Sequence, residues 1–118
     1  MYGLPLDTDF EFMVGAQLIQ VGIGENEVIL HFEPPTSITI AGEARLTIDG
    51  RLAEQFAGAT VIGTALVPLL GDSIREASAH PGGLLRIAWT AGAILELLDS
   101  WDRYESYTVT CGDRVIVV

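Results

Sequence analysis

Residues 10–40 read FEFMVGAQLIQVGIGENEVILHFEPPTSITI, and residues 66–97 read LVPLLGDSIREASAHPGGLLRIAWTAGAILEL. The first stretch falls on the second when it is moved forward by 56 positions, or by 57 after one extra residue in the following turn. Apolar character is kept at the matched positions, whereas polar identity is lost, since His31 falls on Ala88 and Glu33 on Thr90. An internal repeat of this kind predicts one fold for two copies and assigns them no common site. The matched pairs include Phe10 and Leu66, Gly15 and Gly71, Leu18 and Ile74, Leu30 and Ile87, and Ile40 and Leu97.

Each copy predicts the same series of elements. A short helical turn begins near Asp9 or Thr64 and ends at Gly15 or Gly71, which can adopt the left-handed conformation of a helix stop. A hairpin and a third strand follow, and a final hairpin closes each copy, because alternating apolar residues are separated by polar and glycine-rich turns. The predicted first strands are 17–24 and 73–80, the final hairpins turn at 49–50 and 112–113, and the copies span 10–50 and 66–114.

The predicted fold is mainly β, of the α+β class, in a single domain of residues 1–118. Each copy is too small to bury its own apolar face, so we expect the copies to pack about a pseudo-two-fold axis as a β-sandwich or a barrel-like domain with two short helices. Pro68 is compatible with a helix only in its first turn, so the second helix is predicted to begin near Thr64. The connecting segment is rich in alanine and glycine, and we predict helical structure around Leu52 to Phe56.

Composition bears on partners and location. Apolar residues make up 49% of the chain, and the mean hydropathy is +0.40, which favours a homodimer that hides part of the apolar surface. A formal net charge of −10 argues against nucleic acid and anionic membranes as partners. The single cysteine, Cys111, forms no internal disulfide, and the chain lacks a leader-like start and a long apolar run, so we expect a cytoplasmic protein.

The segment from Asp99 to Tyr107 has no counterpart in the first copy and is the best place for an added function. Its tyrosines and Trp101 are typical of a surface that contacts a partner protein, because aromatic side chains are enriched at interfaces. Asp99, Asp102 and Glu105 would hold a hard cation if the segment were helical, but the aromatic and β-branched residues favour an extended chain and a solvated turn. The predicted partner-binding residues are Trp101, Asp102, Tyr104, Glu105 and Tyr107.

Other chemically active side chains are isolated in the sequence. His31 and Glu33 share a strand face and could act together as acid and base, whereas His80 is predicted in the turn before Pro81. Cys111 has no neighbouring base and is interpreted as structural. No catalytic residue, metal site or cofactor is therefore predicted.

The elements Gly15-x-x-Leu18-x-x-Val21, Val28-x-Leu30-x-Phe32, Ile38-x-Ile40, Asp99-Ser100 and Tyr104-Glu105-Ser106-Tyr107 resemble a family of small bacterial domains of unknown function. The resemblance covers nearly the whole chain. It implies no activity and no catalytic residues, although some members resemble the acidic immunity proteins that accompany bacterial toxins.

Two functional hypotheses lead, ahead of a third in which the chain is a purely structural component of a larger assembly. The first is a non-enzymatic binding module that engages a protein partner, for example a basic toxin, through its acidic surface and the segment from Trp101 to Tyr107. The second is a small-ligand-binding protein or metal-dependent enzyme with a pocket between the two copies, using His31 and Glu33 or the three carboxylates of the extra segment.

Overall fold

The computed structural model describes residues 4–99 and 106–118, with the backbone alone at positions 56 and 57. These residues form strands, one short α-helix and two 3-10 turns, at Glu11–Met13 and Val67–Leu69. None of their helices is long and apolar enough to cross a bilayer. The elements are β1 (Gln17–Ile23), β2 (Val28–Glu33), β3 (Thr36–Ile40), β4 (Ala44–Ile48), β5 (Arg51–Ala57), α1 (Ala59–Leu66), β6 (Ile74–His80), β7 (Leu84–Trp89), β8 (Ile94–Leu97), β9 (Tyr107–Cys111) and β10 (Arg114–Val117).

The strands form two five-stranded antiparallel sheets. The first sheet has the order β1-β2-β3-β9-β10, and the second has the order β5-β4-β8-β7-β6. The predicted mainly-β class is confirmed, and the barrel alternative is wrong because the described strands leave both sheets open. Two short helices were predicted, whereas the described residues contain one α-helix and two 3-10 turns, since each glycine-terminated turn tightens to i→i+3 bonds.

Each sheet combines strands from the first part of the chain, which holds β1 to β5, with strands from the second part, which holds β6 to β10. The first three strands of each part stay together, while the final hairpins, β4–β5 and β9–β10, join the sheet of the opposite part. The predicted turns of these hairpins are confirmed, and Asp49 and Gly50 have φ angles of 52° and 75°, as a two-residue hairpin turn of the primed type requires. The exchange of hairpins makes one part of the chain unable to complete a sheet without the other.

The two sheets meet where the beginnings of β1 and β6 cross. A bridge pairs Gln17 with Ser73, and four backbone hydrogen bonds surround it. The four bonds form two equivalent pairs. In each pair, the donor of one bond lies 56 residues before the donor of the other, and its acceptor lies 56 residues after the other acceptor. The bonds run from Gly15 N to Ile74 O at 2.8 Å, from Gly71 N to Leu18 O at 2.8 Å, from Leu18 N to Asp72 O at 2.9 Å, and from Ile74 N to Ala16 O at 2.9 Å.

The core lies between the inner faces of the two sheets. Buried positions alternate with half-buried or exposed ones along β2, and with half-buried ones along β3, as a strand with one face on a core requires. Trp89 of β7 and Tyr107 of β9 are the largest fully buried side chains among the described residues. Other buried core residues are Phe10, Met13, Leu18, Leu30, Phe32, Ile38, Leu46, Ile62, Leu66, Ile74, Leu85, Ile87, Leu95, Leu97 and Val109.

The segment after β4 differs from its prediction. Leu52 to Phe56 was predicted to be helical but belongs to β5, because the turn at Asp49 and Gly50 folds this backbone onto β4, where Leu52 pairs with Thr47. The predicted start of the second helix near Thr64 is also wrong. The helix α1 begins at Ala59, and Pro68 lies in the 3-10 turn that follows it. The first turn begins near Asp9 as predicted, and Oδ1 of Asp9 accepts a hydrogen bond from the Glu11 amide at 2.9 Å.

Candidate functional site

Four of the five predicted partner-binding residues, Trp101, Asp102, Tyr104 and Glu105, lie outside the described residues. The fifth, Tyr107, is only 1% exposed and lies on the inner face of β9. Its hydroxyl donates a hydrogen bond to the carbonyl oxygen of Gly83 at 2.7 Å. Tyr107 therefore packs the core and offers no exposed ring to a partner. Its alternation with buried Val109 in the sequence was the signal that could have placed it there.

Tyr107 also faces the beginning of the extra segment. Burial, and then the negative charge of Asp99, raise the pKa of the Tyr107 phenol above its usual range. Oδ1 of Asp99 is buried and accepts no hydrogen bond from the described residues. Of the three carboxylates in the cation hypothesis, Asp102 and Glu105 are not described, and the described residues contain no group of three metal-ligating side chains.

We predict that Tyr107→Phe lowers the free energy of unfolding by about 1–3 kcal/mol, because the buried Gly83 carbonyl loses its donor while the ring is kept. A folded-state pKa above the unfolded value makes the phenol stabilising below about pH 10, with the benefit lost as pH rises beyond that. Urea unfolding at pH 7 and at alkaline pH should therefore show a difference in the free energy of unfolding between wild type and variant, and this difference should become smaller as the pH rises. A difference that grows with pH would contradict this role.

The turn between β6 and β7 approaches Asp99 closely. A Cβ at Gly83 would lie 2.6 Å from Cβ and 2.7 Å from Oδ2 of Asp99, and Gly83 has a φ of +77°. Gly82 has a similar φ of +83°, but a Cβ there would meet no atom within 4 Å. Both glycines therefore have a left-handed backbone conformation, but only a side chain at Gly83 would overlap with Asp99.

We predict that Gly83→Ala destabilises the protein more than Gly82→Ala. Both changes carry the cost of a left-handed alanine, roughly 1–2 kcal/mol, and only the first adds overlap with Asp99. Thermal unfolding of the two variants measures the difference directly, with Gly82→Ala as the control for backbone strain. Equal losses of stability would show that overlap with Asp99 adds nothing to the destabilisation by Gly83→Ala.

A concave surface of about 570 Å³ lies on the outer side of β6 and β7. We call it the β6 concavity, and its polar lining is Glu11, Arg75, Glu76, Ser78, His80 and Arg86. A β-bulge between Ile74 and Glu76 inserts Arg75 as an extra residue, so Arg75 and Glu76 both reach this surface. Because Glu11 precedes β1 and the other residues belong to β6 and β7, the concavity lies between the two parts of the chain.

Ser78 and His80 form a hydrogen-bonded pair in the β6 concavity. The distance between Ser78 Oγ and His80 Nε2 is 2.9 Å, and the direction of donation depends on the protonation of the ring. His80 is the last residue of β6, in agreement with the predicted strand 73–80 and not with its alternative placement in the turn before Pro81. Two residues that are separated by one on a strand share a face, so the Ser-x-His spacing was the signal for this pair.

Arg86 lies opposite Ser78 in the sheet and beside Glu96 of β8. Glu96 is already engaged, since its Oε1 lies 2.8 Å from Nε of Arg45. The hydrogen bond from Arg45 to Glu96, followed by their charge attraction, raises the pKa of the Arg45 guanidinium. Arg86 has no ion-pair partner among the described residues and is exposed beside the concavity.

A second concave surface of about 390 Å³, the β1 concavity, includes Gln20, His31, Glu33, Ser37 and Thr110 in its lining. It lies beside a bulge between Leu18 and Gln20. His31 and Glu33 are exposed on one face of β2 as predicted, but no hydrogen bond or ion pair joins these two described residues. Cys111 is a half-buried free thiol at the end of β9.

Asp72, just before β6, is connected by hydrogen bonds to the turn between β7 and β8. Its carboxylate accepts hydrogen bonds from the Thr90 hydroxyl, from the Ala91 amide at 3.1 Å, and from the backbone amide of its neighbour Ser73 at 2.8 Å. Burial raises the pKa of Asp72, but the three hydrogen bonds together outweigh it and hold the pKa below its usual value.

We predict that Asp72→Ala lowers stability at pH 7 by on the order of 1 kcal/mol, since three donors lose one acceptor group. A depressed folded-state pKa gives stability that is present above the unfolded value of about 4 and is lost as the pH falls through the folded value. The difference in melting temperature between wild type and variant should shrink in acid. A difference that stays constant down to strongly acidic pH would refute the role of the carboxylate charge.

No protein family model, curated protein or solved structure matches this chain. The resemblance to small bacterial domains stays a prediction.

Proposed function

We propose that this chain is a non-enzymatic binding module that holds a group of its ligand in the β6 concavity. The observation that carries the proposal is the gathering of Arg75, Arg86, Ser78 and His80 on one concave outer surface. Arg75 approaches Glu76 only at 3.9 Å, with both side chains more than half exposed, so this ion pair contributes little to the fold. These polar side chains are accessible to a ligand, whereas the apolar inner faces hold the sheets together.

The module is proposed to be an internal duplication with pseudo-two-fold symmetry. The support is the reciprocal backbone bonding around Gln17 and Ser73, together with bulges at equivalent places in β1 and β6. Equivalent outer positions carry different chemistry, since Ile19 corresponds to Arg75 and His31 to Ala88. A duplicated core with different outer surfaces suits a protein whose two concavities have taken on separate tasks.

A protein partner is one version of the proposal. The net charge of −10 favours a basic partner, such as a toxin held by an immunity protein. Trp101, Asp102, Tyr104 and Glu105, which lie outside the described residues, stay proposed contact residues for such a partner. Tyr107 drops out of this surface because it is buried. A homodimer and a cytoplasmic location remain proposals that rest on the apolar composition and the single cysteine.

A small ligand between the two parts of the chain is the second version. Its specific support is that residues from both parts line each concavity: Glu11 joins the second part in one, and Thr110 joins the first part in the other. The Ser78 and His80 pair resembles a nucleophile with its base, but no third group orients the ring within the described residues. Binding is therefore favoured over catalysis.

We predict that a thermal-shift screen of carboxylates, phosphates, amino acids, nucleotides and sugars finds a class of compound that raises the melting temperature. Saturation at about 100 times the dissociation constant would add about 2.7 kcal/mol to the free energy of unfolding. Ser78→Ala should reduce the shift, whereas the matched change Ser37→Ala in the β1 concavity should leave it intact. A panel without any response, with no localised change in amide NMR spectra, would count against the binding module.

A further inference from the structure

We propose that the β6 concavity is an oxyanion site that binds a carboxylate or phosphate group more tightly when His80 is protonated. The inference rests on the proposed function and specifies the chemistry of its ligand. Its basis is the position of two arginines, a histidine and a serine on the same concave surface of a chain with a net charge of −10.

Arg86 and Arg75 supply the charge-assisted donors. Arginine binds carboxylate and phosphate oxygens through parallel N–H groups, and such bonds are stronger than bonds between neutral groups. Arg86 is the better placed of the two, because Arg45 already engages Glu96, the acidic neighbour of Arg86 on β8. The β-bulge brings Arg75 to the same concavity.

The Ser78 and His80 pair gives the site its pH dependence. When the ring is neutral and Nε2 carries no proton, Nε2 accepts a hydrogen bond from the Ser78 hydroxyl at 2.9 Å. When the ring is protonated, Nε2 donates to Ser78 Oγ, and the hydroxyl proton is free to point at an anion. Protonation therefore adds a positive charge and a neutral donor in one step, and histidine side chains commonly change charge between about pH 5 and pH 8.

Two carboxylates oppose the anion. Glu76 extends from β6 and Glu11 from the 3-10 turn before β1, and they are the acidic side chains in the lining of the concavity. With Arg75 and Arg86 they are the charged side chains among the described residues that line the concavity around His80. Because Glu76 lies 3.9 Å from Arg75, removing its charge should both reduce repulsion and release Arg75 toward the ligand.

The test is a titration of the intact protein with sulfate, succinate and inorganic phosphate, followed by amide NMR at constant ionic strength. Sulfate and succinate are compared at about pH 6 and about pH 8, and sulfate keeps its charge across that range, so its pH response reports the protein. We expect localised shifts in residues of β6 and β7 and tighter sulfate binding at the lower pH. The relative affinities for succinate and phosphate distinguish a carboxylate ligand from a phosphate ligand.

Variants with opposite expected effects sharpen the test. Arg86→Ala should weaken binding about tenfold, as the loss of a charge-assisted contact implies, whereas the exposed control Arg51→Ala should leave it unchanged. Glu76→Gln should strengthen binding. His80→Ala should remove the pH response, and the control His31→Ala should keep it. Unchanged melting temperatures would verify that the exposed substitutions preserve the fold, and Arg86→Lys tests the arginine if Arg86→Ala is unstable.

The proposal is overturned if anion-induced shifts are spread over the surface, or if Arg86→Ala and Arg51→Ala have the same effect. It is also overturned if the tighter binding at low pH survives His80→Ala. Localised anion binding in the β1 concavity would reject both the oxyanion assignment and the placement of the ligand in the β6 concavity. A screened compound that binds at β6 and β7 when these anions do not would reject the oxyanion assignment alone. Failure of these anions together with every compound in the screen would reject both.

Discussion

The crossing of the chain at Gln17 and Ser73 is the constraint on which the rest of the structure depends. Four backbone bonds of 2.8–2.9 Å tie the beginnings of β1 and β6 together, and each bond satisfies a group that would otherwise be left unpaired between the two sheets. Gly15 and Gly71 enter this crossing with φ angles of 88° and 92°, which a residue with a Cβ adopts only with strain. The crossing therefore fixes the start of β1 against the start of β6, and so joins the two sheets, through backbone bonds.

The exchange of hairpins then makes the core indivisible. The inner face of β3 is continued by β9, where Ile38 pairs with Val109, and the inner face of β8 is continued by β4, where Leu95 pairs with Leu46. A sheet of three strands from one part alone would leave the backbone edge of β3 or β8 unpaired and the apolar side chains beside it in water. Burial of these neighbours in the opposite part couples the two parts energetically, so we expect them to unfold together.

The sequence predicted most of the strands and turns, because alternation of apolar residues and Asp-Gly type turns are local signals. It did not predict which sheet the final hairpins join, since that choice is made by contacts between distant residues. The helix predicted around Leu52 failed because alanine-rich composition is weak against pairing with β4. The site was hidden for a similar reason: Arg75 reaches the concavity through a bulge, and Arg86 faces Ser78 only through the register of β6 and β7.

The equivalent bulges in β1 and β6 explain how one scaffold can support two different surfaces. Each bulge turns an extra side chain outward beside a concavity, and the residue that occupies this position is Ile19 in one part and Arg75 in the other. The inner neighbours Leu18 and Ile74 are both fully buried, so the core limits change at one position while the next position is free to vary. A single register shift thus separates the buried residues that hold the fold from the exposed residues that line the concavities.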